Sequence, residues 1–163
     1  MARLNRAISD QPGGGSPRGS NDIRFSFPSG EFAVRTALAT VLCGLRHLAL
    51  SQEEYGTIEL VLAEVLNNVV EHAYGPNETG RIEIIFVNAA DHLKFSIIDE
   101  GVEMPSGETP MGKCADIDVP LEDMPEGGFG WFLIRELTSD IRYERCGLIN
   151  QLSLRFDLEP AGG

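Results

Sequence analysis

LVLAEVLNNVVEHAY, residues 60–74, carries apolar side chains at helical spacing. With the residues before it, Tyr55, Ile58, Leu62, Val65, Leu66, Val69 and Ala73 make one stripe, so a helix is expected over residues 52–74. Ser51 supplies an N-cap, and Glu53 and Glu54 stand in the first turn, where the helix dipole favours carboxylates. Gly75, Pro76 and Asn77 end it. Away from that stripe, Glu64 and Asn68 are four residues apart and stack on one face, with Glu71 close by. Val61, Val65, Val69 and Val70 flank the pair and place it at an apolar boundary. An Asn carbonyl oxygen is a hard ligand suited to Mg²⁺, and a Glu carboxylate can take a proton from an attacking hydroxyl or water. Helices carry many such pairs by chance, so this one acquires meaning only from its neighbours.

Upstream, Val34, Leu38, Val41, Leu42, Leu45 and Leu48 mark a second amphipathic helix, and Ile23, Phe25 and Phe27 alternate as a short strand stopped by Pro28, Ser29 and Gly30. Residues 10–21, DQPGGGSPRGSN, cannot bury apolar area, so residues 1–22 are expected to be a flexible lead-in and residues 159–163 a tail. Downstream, Ile82, Ile84 and Phe86 alternate, as do Leu93, Phe95 and Ile97, a hairpin turning over residues 88–91. Residues 102–126 hold four prolines and many carboxylates, a long loop that suggests a lid. A helix opened by glycines follows over residues 127–138, then a hairpin joining residues 141–146 to residues 152–158. The order predicts an α+β, two-layer α/β sandwich: a mixed, mostly antiparallel sheet with helices on one face, spanning residues 23–158.

Two further segments admit a chemical reading. Asp99, Glu100 and Gly101 follow a strand directly. They are either an ordinary turn or an adenine contact, with Asp99 accepting from an exocyclic amine and Gly101 letting a flat ring approach the backbone. Gly127, Gly128 and Gly130 precede a helical run, either as a hinge or as exposed N–H groups for an anion. Gly107 to Cys114 imitates a phosphate-binding loop, but Cys114 stands where a Ser or Thr would hold Mg²⁺, and no strand leads in. His72, one turn beyond Asn68, either lines the same site or serves the helix end.

The 163 residues carry 25 acidic and 13 basic side chains, a net charge of −12, which opposes binding to nucleic acid or anionic membranes. Cys43, Cys114 and Cys146 show neither paired nor metal-ligand spacing. Residues 1–19 have no apolar core like that of a secretory signal, so a cytoplasmic protein is expected.

Taken together, residues 60–74, the run IIDEG at residues 97–101 and EGGFGWFLIRELTSDIRYER at residues 126–145 resemble the GHKL superfamily of ATP-binding domains. Within it they resemble the bacterial anti-sigma-factor serine/threonine kinases. The resemblance implies a Bergerat-type ATP-binding fold with ATP and Mg²⁺ as cofactors. It implies Glu64 as catalytic base, Asn68 as Mg²⁺ ligand, Asp99 and Gly101 at the adenine, and Gly128 and Gly130 at the phosphates. Ser153 falls where the family often has a threonine near the adenine. The chain departs from the family at Val102, Glu103 and Met104, where a small residue and a Phe commonly follow the turn. Implied partners are a STAS-domain anti-anti-sigma substrate, a sigma factor or sigma-like regulator, and a second copy of the chain. The competing expectation is a non-catalytic, nucleotide-responsive sequestering module. A histidine-kinase fragment is disfavoured, since no helix with a phospho-acceptor His precedes the domain.

Overall fold

The computed structural model describes residues 23–75, 78–110 and 129–159. Ser51 caps the central helix as its sequence predicts. Its hydroxyl accepts from Glu54 N at 3.1 Å, and Glu54 Oε2 accepts from Ser51 N at 2.7 Å, which satisfies two helix-end donors reciprocally. The Ser51 N–H bond holds the Glu54 carboxyl below the usual carboxylate range.

In chain order the elements are β1 (Ile23–Pro28), α1 (Glu31–Leu45), α2 (Gln52–Asn68), β2 (Arg81–Asn88), β3 (His92–Asp99), α3 (Phe129–Leu137), β4 (Asp140–Cys146) and β5 (Ile149–Asp157). The strands form one sheet in the order β1-β2-β3-β5-β4. All four pairings are antiparallel, so among the described residues the sheet is antiparallel throughout and not mixed. One face is dry: Ile82, Ile84, Leu93, Phe95, Ile97 and Leu154 are fully buried beneath the helices, in one core with Leu62, Val65 and Leu66 of α2. Phe95 sits between Phe86 and Phe156, with ring centroids at 5.0 and 5.8 Å. The other face carries the alternate residues, such as Glu83, Lys94 and Arg155. The two-layer expectation therefore holds.

Two boundaries differ from the sequence reading in ways that shape the cleft. The helix expected through Tyr74 is α-helical only to Asn68, and Val69–Ala73 widens into a π-helical turn. Such turns commonly mark functional positions within helices. The last hairpin is also tighter than expected. Gly147, at φ 62°, supports a two-residue turn, so β5 begins at Ile149 instead of residue 152 and pairs Asn150 with Arg145. Cys43 and Cys146 are exposed free thiols on separate elements, and Cys114 lies outside the described residues.

Candidate nucleotide-binding site

Where the π turn, the segment after β3, α3 and the β4–β5 hairpin meet, they enclose a cleft of about 720 Å³. That size suits a nucleotide-sized ligand. Glu64, Asn68, Asp99 and Gly130, which lie far apart in sequence, all line it.

On α2, the Asn68 Nδ2 donates to the Glu64 carbonyl one turn back at 2.8 Å. With its nitrogen turned into the helix, the amide presents its carbonyl oxygen as the remaining polar group. Gly130 lies directly over the neighbouring carboxylate: a Cβ there would press on Glu64 Oε2. Gly130 is thus in contact with the very side chain that the sequence marks as a base. Gly128, like residues 111–127, lies outside the described residues.

At the opposite end, Asp99 is 6% exposed. Its Oδ1 accepts from Gly101 N at 2.9 Å and Asn150 Nδ2 at 2.8 Å, while Oδ2 takes no hydrogen bond from a described residue. Burial pushes the carboxyl above its usual range, and the bonds from Asn150 and Gly101 and the charge of Arg145 oppose that shift. A cleft-lining carboxylate with one oxygen committed keeps the other available as an acceptor.

Gly101 has a steric reason of its own. It does not line the cleft; a Cβ on it would collide with the Ala73 carbonyl oxygen at the end of the π turn. That same oxygen accepts from Val102 N at 2.7 Å. The glycine lets the two backbones meet. Tyr74 completes the junction, donating to Arg81 O at 2.8 Å and accepting from Glu100 N at 3.0 Å. Burial first, and the nearby Asp99 and Glu100 charges after it, push this phenol above its usual range.

Ser153 is not at the site. On β5 the core-facing residues are Asn150, Leu152, Leu154 and Phe156, so Ser153 points to the opposite face, its hydroxyl 3.5 Å from that of Ser96. The polar β5 residue at the cleft is Asn150, which the sequence reading passed over. It is 3% exposed and bonds Asp99, the segment after it and β4. Following the β5 alternation back two residues from Leu152 puts an Asn on the core face, and a buried Asn requires partners. Arg135 of α3 was likewise missed. It donates to the carbonyls of Thr109 and Pro110 at 2.9 and 2.8 Å and ties the cleft wall to α3. His72 and Glu71 line the cleft mouth, 3.8 Å apart, and Trp131 is both core and wall.

Comparison with known proteins bears on the family and the fold. A sequence profile of the histidine kinase-like ATPase domain matches residues 27–156. The chain is 32% identical over 124 residues to the serine-protein kinase RsbW of Oceanobacillus iheyensis, covering 74% of this chain and 77% of that one. The fold resembles the crystal structure of the RsbU and RsbW domains of Rv1364c from Mycobacterium tuberculosis, with a TM-score of 0.60 and 19% identity. That match covers 87% of this chain and 34% of the longer one. It also resembles the SiaB–SiaC complex structure from Pseudomonas aeruginosa, with a TM-score of 0.55 and 18% identity over 83% of this chain and 89% of that one. The chain belongs to the histidine kinase-like ATPase family and, within it, to the anti-sigma-factor serine-protein kinases of the RsbW type.

Proposed function

We propose that the cleft binds ATP with Mg²⁺ and transfers the γ-phosphoryl group to a serine or threonine hydroxyl of a STAS-domain anti-anti-sigma protein. The observation that carries this reading is the placement of Asp99, whose Oδ2 is unengaged among the described residues, in the same cleft as Glu64, Asn68 and Gly130. Adenine presents an exocyclic amine to Asp99, which accepts from it, whereas guanine presents a carbonyl there. At the other end, the Asn68 carbonyl oxygen is a hard donor of the kind Mg²⁺ takes, usually in company with phosphate oxygens. Mg²⁺ so held would neutralise charge on the phosphates. The Glu64 carboxylate takes the proton from the incoming hydroxyl while that oxygen bonds to phosphorus and ADP leaves. Beyond that, this chain's residues contribute positioning.

The regulatory reading rests on the family. The same protein would hold a sigma factor or sigma-like regulator until its STAS partner displaces it, acting in the cytoplasm and as a homodimer. Among the described residues, no helix is long and apolar enough to cross a membrane. The test is to incubate the protein with γ-labelled ATP, Mg²⁺ and a STAS-domain partner. Label should appear on serine or threonine of the partner and fall at least about a hundredfold for Glu64→Ala, the usual scale of a general base. Equal labelling by wild type and variant removes Glu64 from the chemistry. ATP binding without transfer to any partner supports a sequestering module instead.

A further inference from the structure

Asn150 is enclosed by groups of opposite hydrogen-bonding sense. Its Oδ1 accepts from Tyr143 OH at 2.6 Å and Arg145 Nη1 at 2.5 Å. Arginine can only donate, and the Tyr143 oxygen already accepts from Met104 N at 3.0 Å, so its proton goes to Asn150. Among the described residues the Nδ2 end faces only acceptors: Asp99 Oδ1 at 2.8 Å, and the carbonyls of Gly101 and Val102, each at 3.2 Å. Turning the amide over would set its NH₂ against a guanidinium and its oxygen against a carboxylate and two carbonyls. One orientation survives.

We propose that Asn150 is the positioning residue that holds Asp99 as an acceptor toward the base, and so sets the preference for a 6-amino over a 6-oxo purine. The inference rests on the nucleotide reading of the cleft. Asp99 is buried, which by itself favours a neutral carboxyl whose proton would make it a donor. Two donors on Oδ1, Gly101 N and Asn150 Nδ2, stabilise the ionised form and leave Oδ2 as an acceptor. A carboxylate there matches the amine of adenine and repels the carbonyl oxygen of a 6-oxo base. Removing the Asn150 donor lets Asp99 keep its proton to higher pH and blurs that distinction.

Other titratable groups surround the pair. Arg145 also donates to Gly101 O at 3.1 Å and lies 4.0 Å from Glu103, while Tyr74 and Glu100 stand beside Asp99. Glu64, Glu71 and His72 line the same cleft from the α2 side. Arg145 and Tyr143 bond residue 150 itself and keep an oxygen acceptor there in Asn150→Asp, while the other groups are common to both proteins.

The test is ATP binding by calorimetry with Mg²⁺ across pH for wild type and Asn150→Asp, with folding checked by circular dichroism at each pH. Wild-type affinity should fall only on the acid side, as Asp99 takes up a proton and stops accepting. In the variant a carboxylate oxygen faces Asp99 Oδ1, and the two hold one proton between them until rising pH removes it. With that proton retained, Asp99 stops accepting at a higher pH, so the variant's loss of affinity on acidification should begin at a higher pH than in wild type and be recovered as the pH rises. Arg145→Met, outside the cleft lining, gives a second reading if the first variant folds poorly. Its KM for ATP should rise several-fold with kcat kept, and its preference for ATP over ITP, which carries a 6-oxo base, should shrink. Superimposable pH profiles for wild type and Asn150→Asp, or an unaltered ATP/ITP preference in Arg145→Met, overturn the proposal. If wild type itself does not prefer ATP to ITP, the adenine reading of Asp99 fails, and that result is separate from either variant.

Discussion

At Gly130, one missing methyl group separates two properties that usually move together. The residue lies within α3, without a positive φ, so its backbone accepts any L-residue. A helical Gly→Ala change in itself favours folding by about 0.8–1 kcal/mol. The added Cβ would, however, push on Glu64 Oε2, the far end of a flexible side chain that can yield. Gly130→Ala should therefore leave urea-unfolding stability unchanged or raised while cutting phosphotransfer at least about tenfold, since displacing a base by an ångström is costly. A loss of stability equal to the loss of activity would mean that the glycine only packs. The spacing of Glu64 and Asn68 was legible in the sequence because i and i+4 share a helix face. The contact with Gly130 was not, since it joins α2 to a helix that begins some 60 residues later, and no local pattern encodes that approach.

Among the elements, the junction of the π turn with the segment after β3 gives the sharpest expectation. Gly101 is there because the Ala73 carbonyl oxygen occupies the space a side chain would need, and that oxygen is fixed by its bond to Val102 N. Backbone cannot step aside as a side chain can. Gly101→Ala should cost about 1–3 kcal/mol in urea unfolding, the usual scale for overpacking. It should also weaken nucleotide binding, because the shift passes through two residues to Asp99. Wild-type stability in the Ala variant would show that the turn has slack. The glycine itself was legible in the sequence, but its cause was not. A turn after a strand explains Gly101 well enough locally, and only the π turn, which periodicity cannot distinguish from α-helix over five residues, brings Ala73 against it. Ser153 and Asn150 show the complementary failure. Asn150 and Gln151 interrupt the apolar alternation of β5, so the sequence starts the strand at Leu152 and hides Asn150, while Ser153, placed by the family resemblance alone, is turned to the opposite face by the strand's parity.

For the molecule as a whole, charge and cleft act against each other. A net charge of −12 opposes the approach of a nucleotide triphosphate, and the cleft brings carboxylates of its own in Glu64, Glu71, Asp99 and Glu103. Binding by such a chain depends on a cation that converts the phosphates from a repelled group into a shared one. Metal dependence should therefore be a property of the fold's stability as well as of its catalysis, because a ligand that binds only the native state stabilises it by mass action. At a hundred times its Kd, ATP with Mg²⁺ should add about 2.7 kcal/mol, which for a domain of this size raises Tm by roughly 5–10 °C. ATP with EDTA should give a much smaller shift. Asn68→Ala should reduce the Mg²⁺-dependent part of the shift and leave the stability of the free protein within about 1 kcal/mol, since among the described residues its side chain bonds only within its own helix. An equal shift with and without Mg²⁺, in wild type, would mean that the acidic cleft accepts the nucleotide by its base alone, and the role given to Asn68 would fall with it.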